Sequence, residues 1–581
     1  MKRIKLLNNL LSAALVVLPS VPEALAADRP NVVLIMSDDQ GYGDLRCHGN
    51  GVIRTPHLDT LHGESVRLTN FHVDPTCSPT RSALMTGRYS TRTGCWHTIM
   101  GRSLLFSGEV TMGDVFRRAG YRTAVFGKWH LGDNYPMRPQ DRGFDETLVL
   151  GGGGITQTPD FWGNDYFDDT YFHNGRTERQ QGYCTDVFFE AAQAFIETNR
   201  DRPFFVYLPT NVAHGPYNVA DEYSRRYREA GVAPTMANFY GMIENLDENV
   251  GRLRAWLRQL ELEQNTILIF MTDNGTAEGA APRRNETGSW SGFNAGMRGQ
   301  KGSQYDGGHR VPFFVRWPAG GIGGGRDEHR LAAHFDVLPT LAELCGLEIP
   351  ARVALDGVSL APLLRGNPAD WPERTLFAHV QRQEIPPKWV RSAAMTDRWR
   401  LIDGKELYDL PDDPGQQRDV AAEHPEVVTR LREAYEAWWA TLEPSFDDYG
   451  HLALGAEAAD PVDLTCHDWH SDQVPWHQGM IRAAPWANGY WVVLVTRPGR
   501  YEFTLRQQPR EAAFPIQADR ARVQVDEVEA ETAIPEGATS VTLTLNLRAG
   551  PGRLQTWFTN AAEGRSRGAF FVSIRRLSDP E

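Results

Sequence analysis

Cys77-Ser78-Pro79-Thr80-Arg81 is the stretch of this chain whose residue types and spacing most directly suggest chemistry. Pro79 stands near a helix start and Gly87 where a helix would end, so a short helix is predicted with Cys77 at its N-terminus. Free N–H groups and the helix dipole favour an anion there, and Arg81 falls one turn further on the same face, making a cradle for sulfate or phosphate. Two oxygen-bearing pairs, Asp38-Asp39 and Asp273-Asn274, each follow an apolar run. They offer only oxygen ligands, which suits a hard cation such as calcium better than zinc or copper. Lys128 and His130 follow a third run and His214 a fourth. Taken singly, each has a plainer reading: Cys77 as a small buried hydrophobe, Arg81 as a surface ion-pair partner, each Asp as a turn or helix cap.

The elements that must position these groups are short apolar runs at residues 32–36, 123–126, 204–208, 267–271 and 311–317, separated by helical or glycine-rich stretches. That alternation predicts an α/β domain built on a mostly parallel sheet with helices on both faces. Ligands of such sheets bind outside the carboxyl ends of the strands, where these charged groups fall. The expected organisation is a leader over residues 1–26, a catalytic domain over 27–373, a small α+β subdomain over 374–445, and a connector with an all-β, sandwich-like appendage over 446–581. The connector contains Asp463, His467, Asp468, His470 and Asp472, a metal-like grouping that reads as a surface loop without metal because its spacing dictates no coordination geometry. Trp469, Trp476, Trp486 and Trp491 could stack on sugar rings or fill a core.

Composition narrows the function. With 41% apolar and 23% charged residues over 581 positions the chain can bury a large core, and a net charge of -14 argues against nucleic acid or an anionic membrane as the main partner. A basic opening, a short apolar run and Ala24-Leu25-Ala26 read as a signal peptide, too short to span a bilayer, which predicts a periplasmic or secreted protein without stable membrane insertion. Six cysteines without Cys-x-x-Cys spacing specify neither a zinc site nor a disulfide scaffold, although export permits a disulfide or two.

Cys77 to Arg81 resembles the signature of the type I, formylglycine-dependent sulfatases of the alkaline-phosphatase superfamily, and other blocks match in order. Residues 31–44 resemble the family's first strand and metal loop, and Gly127-Lys128-Trp129-His130-Leu131-Gly132 its second signature. Residues 211–216, 272–275 and 301–312 resemble later blocks, with Met85 where Leu is usual and Asp306 where Glu is usual. The resemblance spans about residues 31–442 and implies an alkaline-phosphatase-like fold and a sulfatase. It further implies that a maturation enzyme oxidises Cys77 to formylglycine (3-oxoalanine). The aldehyde hydrate would attack sulfur and give a sulfo-enzyme intermediate, beside one Ca2+ held by Asp38, Asp39, Asp273, Asn274 and residue 77. His130 would be the base that releases sulfate and His214 the acid for the departing alcohol. Lys128 and Lys301 would hold sulfate oxygens, and Arg81 would support residue 77 and the metal. His309 could touch substrate, whereas Arg310 reads as a structural ion pair. A sulfated carbohydrate is the expected substrate. A formylglycine-dependent phosphodiesterase or phosphonate hydrolase of the same superfamily, and an inactive glycan-binding protein, are the alternative readings.

Overall fold

The computed structural model describes residues 29–577 except residue 513; the leader expected over residues 1–26 lies outside the described residues. At the centre is a ten-stranded sheet. Its inner strands are β1 (Asn31–Ser37), β2 (Arg122–Lys128), β3 (Glu146–Leu150), β4 (Phe204–Pro209) and β5 (Thr266–Thr272), all parallel, in the spatial order β3-β2-β4-β1-β5. Every residue of β1 is buried. Val33 and Ile35 face the core shared with α2 (Cys184–Thr198) and α3 (Pro234–Gln259), while Val32, Leu34 and Met36 face that shared with α1 (Cys77–Thr86) and α4 (Val337–Cys345). A strand apolar on both faces fits only between two helical layers, which is why residues 32–36 read as an uninterrupted run.

The fifth predicted run departs from the expected direction. It forms β6 (Phe313–Arg316), which pairs antiparallel with β5. Lys301 therefore reaches the site from the loop that enters β6, with its backbone N–H on the Thr276 carbonyl at 3.1 Å. Strand β3 went unrecognised because its apolar stretch, Leu148–Leu150, is short and runs into four glycines.

Beyond α4, four antiparallel strands (Leu376–His379, Ser392–Met395, Trp399–Ile402 and Glu406–Asp409) pack under α5 (Pro425–Ala440), whose Leu431, Tyr435 and Trp439 are buried against them. Residues 446–485, aperiodic in sequence, supply strands to both sheets of the all-β region: Leu452–Leu454 pairs with Tyr490–Val495, and Val462–Thr465 with Phe571–Arg576. Trp469 and Trp491 fill the core between these sheets, Trp486 is half-buried under Arg567, and Trp476 is exposed. The same core takes in Met100, Leu104 and Met137 of the α/β domain, so the two regions share apolar packing. All six cysteines are unpaired, Cys47 half-buried and the others buried, so the disulfide that export would permit is not formed. Among the described residues no helix is long and apolar enough to cross a membrane.

One glycine fixes how β2 delivers Lys128. Gly127 has φ 127°, and a Cβ there would stand 2.0 Å from the Pro209 carbonyl oxygen of β4. Gly127→Ala should therefore cost about 1–3 kcal/mol from backbone conformation alone. The loss should appear in chemical denaturation together with reduced turnover, whereas unchanged stability would show that the close approach is not needed.

Candidate active site

Helix α1 begins at Cys77 and ends at Gly87, whose φ of 68° supplies the left-handed C-cap, as the Pro and Gly positions predict. The helix is buried along its whole length, so Arg81 lies under the sheet edge rather than on the surface. Its guanidinium donates to the Lys128 carbonyl and to Asp273 Oδ2, both at 2.8 Å, and lies 3.8 Å from Asp38 Oδ2. Arg81 thereby ties the first turn of α1 to the ends of β1, β2 and β5.

The carboxyl ends of β1 and β5 bring three carboxylates together. Ligand atoms of Asp38, Asp39, Asp273 and Cys77 all lie within 4.8 Å of one another. Asp39 has φ 62°, an uncommon conformation for a residue with a side chain. Its backbone N–H donates to Asp273 Oδ1 at 3.0 Å. Asn274 Nδ2 donates to Asp39 Oδ1 at 3.0 Å, while Asn274 Oδ1 is buried with no hydrogen-bond partner. Three converging carboxylates and an orphaned amide oxygen fit a hard cation: all are oxygen donors, and the unmet acceptor is of the kind such an ion would satisfy.

Lys128 Nζ meets Asp38 Oδ2 at 2.6 Å and Lys301 Nζ meets Asp39 Oδ1 at 2.6 Å. Three buried carboxylates thus face three cationic side chains, Arg81, Lys128 and Lys301. A divalent ion would leave the centre positively charged and receptive to an anionic ester. Burial and the neighbouring Asp273 push Asp38 up to about 7, against the pull of Lys128 and Arg81. Burial also opposes ionisation of Asp39 and Asp273, but Lys301 and His214 hold the first below its ordinary value, and Arg81 and Lys128 the second. Burial lifts the Cys77 thiol to about 12, which suppresses its thiolate and argues against an unmodified cysteine as the nucleophile.

The two histidines stand on opposite footings. His130, φ 57°, donates from Nε2 to the Thr98 carbonyl at 2.9 Å, and its backbone carbonyl accepts from Ser78 Oγ. That bond fixes the tautomer and leaves Nδ1 a bare, buried acceptor. His214 donates from Nδ1 to the Gly215 carbonyl at 2.7 Å, and its Nε2 lies 4.0 Å from Asp39 Oδ2. Burial and Lys301 press His214 down to about 3 against the attraction of Asp39. A bound anion would push the other way.

The structure therefore gathers Asp38, Asp39, Cys77, Arg81, Lys128, Lys301, Asp273 and Asn274, flanked by His130 and His214. His309 does not join them: its Nδ1 is 2.8 Å from His72 Nδ1 and its Nε2 3.1 Å from the Gln304 carbonyl. Asp306 is buried on Arg400 at 3.0 Å and Arg310 lies 3.9 Å from it, so this group is structural, as was expected of Arg310. His467, Asp468 and His470 are buried, which corrects the surface-loop reading; only Asp463 and Asp472 of that grouping are exposed.

Sequence reasoning missed the loop following β3. A Cβ on Gly153 would stand 2.2 Å from the His130 ring, and one on Gly154 3.1 Å from His214 Nδ1. Gln157 Oε1 accepts from the Gly153 N–H at 2.9 Å. The run of four glycines was the available signal, since only residues without a Cβ can lie this close to both rings.

A buried acidic centre at the carboxyl edge of a mostly parallel sheet, with a helix N-terminus, two lysines and two histidines around it, defines a hydrolase of anionic esters. The family model described as Sulfatase matches residues 30–347, and one described as N-sulphoglucosamine sulphohydrolase, C-terminal, matches residues 300–438. Human arylsulfatase A is 31% identical over 466 residues, covering 70% of this chain and 86% of that protein. Mouse steryl-sulfatase is 29% identical over 544 residues, covering 73% and 84%. The solved structure of Ps i-CgsB, also solved with k-i-k-neocarrahexaose, is similar at TM-score 0.62 and 27% identity, covering 71% of this chain and 92% of that one. The chain belongs to the type I sulfatases of the alkaline-phosphatase superfamily, and is a sulfuric ester hydrolase.

Arg81 should be the least replaceable residue of the centre for folding. Removing it leaves Asp273 and Asp38 buried without their counter-charge, so Arg81→Ala should lose about 3–5 kcal/mol in chemical denaturation. Arg81→Lys keeps the charge but cannot make both bonds, and should fall between. Wild-type stability in Arg81→Ala would contradict this role.

Proposed function

We propose that the chain cleaves the sulfate ester of a sulfated carbohydrate to free sulfate and a hydroxyl, after a maturation enzyme has oxidised Cys77 to formylglycine. The observation that carries this reading is the buried cluster of Asp38, Asp39, Asp273 and residue 77 at the N-terminus of α1. Asp38, Asp39, Asp273 and Asn274, with residue 77, would hold one Ca2+. That ion would supply positive charge for the ester oxygens and favour the deprotonated form of the nucleophile. The formylglycine hydrate would supply an attacking hydroxyl that a thiol suppressed by burial does not.

The chain's own residues have these parts. Lys128 and Lys301, already within the centre, bind non-bridging sulfate oxygens and disperse the charge that grows on them. His214 gives its Nε2 proton to the departing alcohol oxygen, its affinity for that proton raised by the anion bound beside it. His130 Nδ1, bare because the Thr98 carbonyl holds the proton on Nε2, receives the proton from residue 77 that lets sulfate leave. Arg81 touches no substrate and fixes the first turn of α1 against β2 and β5.

The carbohydrate assignment is supported by the relative solved with k-i-k-neocarrahexaose and by the signal-like leader, which would place the enzyme in the periplasm or outside the cell. The thiol of Cys77 is buried, so oxidation before folding is the accessible route.

Peptide mass spectrometry of enzyme made with a formylglycine-forming partner should show an aldehyde at position 77. The same preparation should release sulfate from sulfated saccharides far faster than it cleaves phosphodiesters or phosphonate esters. Full activity with Cys77 unmodified would overturn the nucleophile. Phosphodiester turnover faster by orders of magnitude would overturn the preference for sulfate, and activity confined to steroid or aryl sulfates would overturn only the carbohydrate part.

A further inference from the structure

The β-sandwich region brings a histidine, His467, beside His130. The turn Cys466–Asp468 follows strand Val462–Thr465 and is rigidly placed. Cys466 N–H donates to the Phe570 carbonyl at 2.8 Å, Cys466 Sγ to that of Pro475 at 3.3 Å, and the next residue, Trp469, is buried against Trp491 with ring centroids 5.6 Å apart. The turn holds His467 at 2% exposure with its ring centroid 6.2 Å from that of His130. The His467 carbonyl accepts from Met100 N–H at 3.3 Å, two residues beyond the Thr98 carbonyl that orients His130.

Donors and acceptors show what this ring can bind. His467 Nδ1 lies 3.2 Å from Asp468 Oδ1, and a carboxylate only accepts, so Nδ1 carries the proton and Nε2 of the neutral ring is a bare acceptor. That Nε2 is buried without a partner, as is His130 Nδ1 on the neighbouring ring. Buried polar atoms are almost always paired in native proteins, and one that is not marks a place where a ligand or water belongs. A sulfate oxygen has no hydrogen to offer such a nitrogen, whereas a hydroxyl has.

We propose that His467 is a substrate-binding residue of this active site, supplied by the β-sandwich region. Its Nε2 accepts a hydrogen bond from a hydroxyl of the alcohol that carries the sulfate ester, on the carbon next to the sulfated one. The inference rests on the reading of the Cys77 and His130 centre as the place where the ester is cleaved. It gives the region beyond residue 438, where the family matches end, a part in choosing substrate. Asp468 is the positioning residue that fixes the His467 tautomer.

Two chromogenic esters separate this role from others in the full-length, formylglycine-bearing enzyme. 4-Nitrocatechol sulfate, assayed at a pH low enough to keep its acidic phenol protonated, has a hydroxyl beside the ester and 4-nitrophenyl sulfate has none. His467→Leu should lower kcat/KM for the first by about 10- to 100-fold and leave the second within about threefold, because only the first loses a hydrogen bond. His467→Gln, whose amide oxygen accepts, should recover part of the loss. An equal loss on both esters, or no loss on either, would overturn the proposal, and a lowered Tm with an unchanged ratio between them would do the same. A wild-type enzyme that cleaves these esters but no sulfated saccharide would count against the carbohydrate reading and leave the His467 ratio to be judged on its own.

Discussion

Three carboxylates buried within ligand distance of one another are unstable unless something positive is buried with them, and the rest of the site follows from that requirement. Arg81 meets it by spanning Asp273 and the Lys128 carbonyl, and Lys128 and Lys301 meet it by pairing with Asp38 and Asp39. The same contacts register α1 against β1, β2 and β5, so the position of residue 77 and the electrostatics of the pocket are fixed together. The uncommon backbone of Asp39 and His130 is held by the same surroundings: one through the Asp273 carboxylate, the other through Ser78 Oγ and the Thr98 carbonyl.

Much of this was legible in the sequence because each group sits immediately after a strand whose apolar run is unbroken. Asp38 and Asp39 follow β1, Lys128 ends β2, and Asp273 and Asn274 follow β5, so predicting the strands placed the side chains. The N-terminus of α1 was legible for the same local reason, a proline near its start and a glycine at its end. Lys301 was harder, since its loop precedes an antiparallel strand and only the family resemblance marked it.

What stayed hidden depends on contacts between distant segments. Nothing local in residues 446–485 shows that they supply strands to two sheets or that His467 is buried beside His130, because the first follows from pairing with Tyr490–Val495 and Phe571–Arg576 and the second from contact with a loop of the distant α/β domain. The sandwich also braces both loops that touch the histidines. Gln157 bridges to His477, Thr158 N–H donates to the Trp476 carbonyl at 3.0 Å, and Arg102 donates to the Asp448 carbonyl at 2.6 Å, while Glu384 of the α+β subdomain pairs with Arg102 at 2.9 Å. The all-β region therefore packs against the loops beside His130 and His214 instead of hanging clear of them.

If this charge cluster is a site for a single hard cation, isothermal titration of chelator-stripped enzyme with calcium should show one ion bound per chain. Asp273→Asn should abolish that binding in a protein that still unfolds cooperatively. Two ions per chain, stoichiometric zinc retained in active enzyme, or calcium binding indifferent to Asp273 would contradict it.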